Sequence, residues 1–145
     1  LSWIDWATAD ERLAEFAGAL IALRRALPAL RQDDWLDDHP HADGRREVQW
    51  LAPARDGDAV FRLMALEDWH DPHRHALALW LAPRDDAAVL VLMNAEDAPV
   101  RFVLPPGAWV QRLDSAGGDT QAHALDGIAV EAPASGLLVL VSEPV

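Results

Sequence analysis

From Val48 onward the chain repeats one pattern: an apolar run of five to seven residues, a cluster of turn-forming residues, then another run. The runs fall at 48–52 (VQWLA), 59–64 (AVFRLM), 76–82 (ALALWLA), 88–94 (AVLVLMN), 99–104 (PVRFVL), 108–113 (AWVQRL), 128–132 (IAVEA) and 137–142 (LLVLVS). They are too short for helices, and Asp56-Gly57, Asp71-Pro72, Pro105-Pro106-Gly107, Gly117-Gly118 and Asp126-Gly127 punctuate them as reverse turns. About eight strands at this spacing predict an antiparallel Greek-key β-sandwich. Residues 88–94 and 137–142 are almost continuously apolar, which predicts central strands covered on both faces.

The first third obeys a different period. Leu13, Phe16, Ala17, Leu20, Ile21, Leu23 and Leu27 recur at steps of three and four, the mark of one broad apolar helical stripe. Thr8-Ala9-Asp10-Glu11 reads as a capping box, and Pro28 disfavours helical geometry at Leu27, so the spacing predicts one amphipathic α-helix over 9–27 ahead of the sandwich. Residues 31–46 are polar and turn-rich, with Trp35 and Leu36 as their large apolar side chains, and read as a connection. The organisation expected is a helical segment at 1–30, a connecting segment at 31–47 and a β-sandwich domain at 48–145.

Composition excludes several function classes. With 145 residues, 51% of them apolar, the chain can bury a core without metal or disulfide help. It has no cysteine, so thiol catalysis is excluded, and a reducing cytoplasm is the compartment expected. A net charge of -12, from 24 acids against 12 arginines and no lysine, repels nucleic acid and anionic lipid. No run approaches the roughly 18 apolar residues of a membrane span.

Candidate chemistry is sparse. His39-Pro40-His41 and His70-Asp71-Pro72-His73-Arg74-His75 are rich in imidazole, but both lie in Pro- and Asp-rich loop segments, where solvated side chains are the expectation, and no metal site is assigned. Paired acids occur at Asp33-Asp34, Asp37-Asp38, Glu67-Asp68, Asp85-Asp86 and Glu96-Asp97. Glycoside cleavage needs two carboxyl groups facing each other across a sugar, whereas adjacent loop acids point apart into water. No nucleophile elbow, phosphate loop or dinucleotide fingerprint is present, and the four serines have no histidine neighbour in sequence. No catalytic residue and no cofactor are assigned.

Seven tryptophans and no tyrosine are the notable excess. Indole faces stack on pyranose rings, which raises the reading of a carbohydrate-binding module. Trp50, Trp80 and Trp109 lie in or open apolar runs and are expected as core or interface anchors. Trp35 and Trp69 have polar surroundings and are the expected positions for a glucan contact.

The order of segments resembles a known family. Ser2-Trp3-Ile4-Asp5-Trp6 is similar to the "SWLDW" stretch of the glycogen-debranching branch of the α-amylase superfamily, the isoamylase-like and glycogen-operon glycosidases. The stretch from Phe16 to Leu30 resembles that family's "LIxLRRxxPAL" helix, Val48-Gln49-Trp50-Leu51 its "VxWL", Glu67-Asp68-Trp69 its "EDW", and Met93-Asn94-Ala95 the end of its "xNA" strand. Met64-Ala65 departs from the Met-Thr pair that commonly precedes "EDW".

The resemblance implies the last helix of a catalytic eight-fold β/α barrel followed by the C-terminal β-sandwich of an enzyme that hydrolyses α-1,6 branch linkages in glycogen-like glucans. It places the catalytic carboxylates upstream, so none maps onto a residue here. The implied partners are the barrel itself and α-glucan. The helix stripe, if the barrel does not cover it, is expected to pack on the sandwich or to form a homodimer seam through Phe16, Leu20 and Leu23, leaving Trp3 and Trp6 partly exposed as barrel contacts. The rival readings are a stand-alone carbohydrate-binding module, marked by coplanar exposed tryptophans, and a purely structural or oligomerisation domain.

Overall fold

A computed structural model of the chain describes residues 8–32, 35–36, 40, 46–83 and 86–142. The expected Trp3 and Trp6 contacts, the acids at 33–34 and 37–38, Asp85, His39 and His41 lie outside the described residues.

The chain is mainly β, as expected, with the helix first. Helix α1 spans Glu11–Ala26, and a 3-10 turn follows at Pro28–Leu30. The strands are β1 (Val48–Ala52), β2 (Arg62–Leu63), β3 (Ala76–Leu81), β4 (Val89–Asn94), β5 (Val100–Val103), β6 (Trp109–Asp114), β7 (His123–Ala124), β8 (Ala129–Ala132) and β9 (Gly136–Ser142), with a short helix α2 at Leu66–Trp69. Each of the eight apolar runs contains a strand. The 59–64 run contributes only two residues, and β7 and α2 arise where no run signalled them.

Seven strands form an antiparallel sheet in the order β2-β1-β3-β4-β9-β6-β7, and β5 and β8 pair as a second, small sheet. The long strands sit at the centre: β4 pairs with β3 from Ala76↔Asn94 to Leu81↔Val89 and with β9 from Val89↔Val141 to Asn94↔Gly136. Four of the expected turns place glycine at positive φ, among them Gly57 at +82° and Gly127 at +106°, a backbone that residues with a Cβ rarely adopt.

Successive strand residues point to opposite faces, and the two faces of the large sheet meet different surroundings. On one, Ala78, Trp80, Leu90, Leu92, Leu138 and Leu140 pack against Phe102 and Ala132 of the small sheet, with Leu51, Leu104 and Trp109 completing the cluster. This is the sandwich core. On the other, Leu81, Val89, Val139 and Val141 pack under Leu27 and Ala29, joined by half-buried Phe16, Leu23 and Leu30. A β-bulge in β6 between Gln111 and Leu113 shifts the register and turns Leu113 to this second face, opposite Val139.

Helix α1 departs from expectation at its start and on its surface. The N-cap is Asp10, whose Oδ1 accepts from the amides of Arg12 (3.0 Å) and Leu13 (3.2 Å), so the box proposed from Thr8 gives way to a carboxylate two residues on. A carboxylate also suits the positive end of the helix dipole. The stripe is split. Phe16 and Leu23 lie against the sheet, whereas Leu13, Leu20 and Ile21 are exposed, and no residue of α1 is fully buried.

Candidate functional site

The second face of the large sheet is only half covered. Leu77, Met93 and Leu137 align across β3, β4 and β9 by register, and so do Leu79, Val91 and Val139. Helix α1 and the 3-10 turn cover the end of the sheet at Leu81, Val89 and Val141, but Leu77, Leu79, Val91, Met93 and Leu137 remain partly accessible. The expectation that the 88–94 and 137–142 strands are covered on both faces therefore holds on one face and fails over much of the other. Leu77, Met93 and Leu137 floor an open depression of about 490 Å³, rimmed by His75, Ser115 and Ser135.

One end of the depression is stitched by a buried amide. Asn94 Nδ2 donates to the carbonyls of Ala98 (2.9 Å), Ala132 (3.2 Å) and Pro133 (2.9 Å), and its Oδ1 accepts from the Glu96 amide (2.8 Å). The side chain thus ties the end of β4 to the second sheet and shapes the turn after it. Glu96 in turn accepts from the His75 amide through Oε1 (3.0 Å). The asparagine of the "xNA" stretch is a structural clasp.

Beside the same face, at the β1 edge, stands an aromatic corner. Leu51 points into the sandwich core, so Trp50 points the other way, and its register partner Leu79 belongs to the half-covered face. The Trp50 and Trp69 rings meet edge to face, with centroids 5.7 Å apart and planes inclined by 79°. Trp50 is 37% and Trp69 49% accessible. Trp50 is thus a surface residue and not part of the core. Trp80 and Trp109 are buried as expected; Trp109 Nε1 donates to the Pro105 carbonyl (2.8 Å), and Trp80 meets Phe61 edge to face.

A buried ion cluster holds the corner. Asp68 Oδ2 accepts from Arg62 Nη1 (2.7 Å) and from the Ala65 amide (2.9 Å), while Oδ1 lies 3.4 Å from Arg74 Nη2. The Arg62 hydrogen bond holds the carboxyl of Asp68 below the usual carboxylate range, against the opposing effect of burial. Ala65 is the N-cap of α2 and has no side chain to offer, so the cap is half of a capping box: the acid three residues on reaches back, and the hydroxyl is missing. The departure from the Met-Thr pair falls on this position.

The two tryptophans expected as glucan contacts are thus placed differently. Trp69 sits in the corner with Trp50, not with Trp35, which is 98% accessible. Among the described residues the paired acids do not converge. Asp68 is occupied by two arginines while Glu67 faces solvent, and Asp71 lies 3.6 Å from Arg74. At the surface, Asp119 Oδ2 lies 2.7 Å from His123 Nε2, and its carboxyl is lowered first by the Gln121 amide and then by His123. Among the described residues no three His, Asp or Glu side chains gather as metal ligands, and no helix is long and apolar enough to cross a membrane.

Comparison with known proteins places the chain. No family model matches it. It is 36% identical over 110 residues to a glycogen debranching enzyme of Yersinia enterocolitica, 38% identical over 109 residues to one of Cronobacter sakazakii, and 35% identical over 109 residues to one of Yersinia pseudotuberculosis. These alignments take in 75–76% of this chain but only 14% of each relative. The resemblance carried by the ordered motifs is therefore borne out, and the match is consistent with the C-terminal part of such an enzyme.

Proposed function

We propose, from this kinship with the glycogen debranching enzymes, that the chain is a non-catalytic C-terminal part of a cytoplasmic glycoside hydrolase of the α-amylase superfamily, one that cleaves α-1,6 branch linkages of glycogen-like glucans. In this reading its task is to brace the catalytic barrel, which supplies every catalytic carboxylate.

The observation that carries the reading is the half-covered apolar face. A strand buried on one face only alternates apolar and polar residues, yet β3, β4 and β9 are apolar on both. Apolar area left in water forgoes about 25 cal/mol per Å² of stabilisation. The row Leu77, Met93, Leu137 and the outer flank of α1 at Leu13, Leu20 and Ile21 are then two parts of the surface that meets the rest of the enzyme. Without that partner, two copies of the chain have the same surfaces to offer each other. A stand-alone carbohydrate-binding module fits less well, because such a module has no partner of its own to cover the apolar row Leu77, Met93 and Leu137.

The test is complementation in trans. A debranching enzyme truncated of its corresponding C-terminal span is mixed with this chain, and branch hydrolysis and thermal stability are followed. Both should recover with the unaltered chain and fail to recover with folded Leu77→Asp or Met93→Asp variants. Recovery that is indifferent to those substitutions, or no recovery with a folded chain, overturns the reading.

A further inference from the structure

We infer that the Trp50–Trp69 corner is a surface site for an α-linked glucosyl chain. The assignment of glucan as ligand rests on the debranching-enzyme reading; the site itself rests on four features of the corner.

The first is exposure. Trp80 and Trp109 show that this fold can bury indoles, yet Trp50 and Trp69 keep a third to a half of their surface accessible. The second is preorganisation. Asp68, held between Arg62 and Arg74 and bonded to the Ala65 amide, fixes the short helix that carries Trp69. A ligand meeting a rigid aromatic surface loses less free energy to side-chain ordering.

The third is shape. A flat β-linked glucan presents parallel sugar faces and calls for coplanar rings, whereas an α-linked chain turns from one unit to the next. Ring planes inclined by 79° offer no single flat platform and suit the turning chain better than the flat one. The fourth is the polar fringe. His70 Nδ1 lies 2.8 Å from the Leu66 carbonyl, so in neutral imidazole Nδ1 carries the proton and Nε2 is left as an acceptor. Glu67 and His70, both exposed neighbours of Trp69 in sequence, supply acceptors for sugar hydroxyls. A net charge of -12 favours a neutral polyhydroxyl ligand over a phosphorylated one.

The test is a titration of the whole chain's tryptophan emission and heat of binding with maltoheptaose, with cellohexaose as the flat-chain control. Saturable binding of maltoheptaose alone is expected. It should weaken by roughly tenfold or more, the equivalent of one lost stacking contact, in Trp69→Ala and in Trp50→Ala, and be unchanged in Trp35→Ala. Trp50→Phe, which keeps a ring against Trp69, should give an intermediate loss and guards against a Trp50→Ala chain that does not fold. No binding, equal binding of cellohexaose, or binding that survives in Trp69→Ala overturns the site. Failure here with complementation in trans intact would leave the bracing reading standing, and a Trp69→Ala chain that still complements separates the two surfaces.

Discussion

The two faces of the large sheet are built from the same kinds of residue and lead opposite lives. Neighbours in β4 make the contrast sharpest: Leu92 is fully buried under the small sheet, while Met93 lies half open beside the depression. The closed face has a partner within the chain, Phe102 and Ala132 of β5 and β8; the open one has α1 over one end and nothing among the described residues over Leu77 and Met93. Apolar composition therefore reports that a surface is meant for burial, and only the arrangement of elements reports who buries it.

The comparison can be broken by substitution at neighbouring sites. Leu92→Ala should cost about 3–4 kcal/mol of stability through a cavity that the two sheets cannot collapse, read from chemical denaturation. Each face also has a polar anchor. Asn94→Ala on the closed face removes one donor group serving three carbonyls and should cost about 2–3 kcal/mol.

Asp68→Asn on the open side should cost about 2 kcal/mol, because it leaves two partly buried guanidinium groups underpaired. That site also sets a pH dependence. Since the folded value of Asp68 is lowered, its contribution is complete above the unfolded value of about 4 and is lost as pH falls through the lowered folded one. Acid unfolding curves of the Asn variant should therefore be flatter below about pH 4 than those of the unaltered chain.

Met93→Ala, one residue from Leu92, should cost under about 1 kcal/mol in the isolated chain, since a half-exposed side chain leaves no closed cavity. A loss as large as that of Leu92→Ala would mean that the open face is already covered. The smallest effect expected is a gain: Ala65→Thr restores the missing hydroxyl at the N-cap of α2 and should stabilise the chain by about 0.5–1 kcal/mol, visible as a small rise in Tm.

Much of this fold is legible in the residues. The eight apolar runs locate eight of the nine strands, because a short run between turn residues has few other ways to satisfy its backbone and bury its side chains. What escapes is local and weakly encoded. The α1 start moves from Thr8 to Asp10 because two capping residues stand within three positions, and backbone geometry selects one. Strand β7, His123–Ala124, carries no apolar signal and forms only because β6 offers an edge. The bulge that swings Leu113 to the second face is invisible in AWVQRL, since apolar residues suit either side.

The candidate site divides the same way. Trp69 is legible as exposed from its polar neighbours. Trp50 is not, because VQWLA reads as any buried strand does. Its exposure follows from where β1 lies, with only two-residue β2 beyond it at that edge of the sheet.

The sequence by itself determined the main helix, eight of the nine strands, the β-sandwich class and the kinship with glycogen debranching enzymes, all of which are written in local pattern and motif order. The tertiary structure alone decided which apolar face is closed, which indoles meet at the surface and that Asp68 serves two arginines. Those are properties of residues brought together from different elements and turns, and hydrophobic periodicity records how a side chain points along its own element, not what waits on the other side.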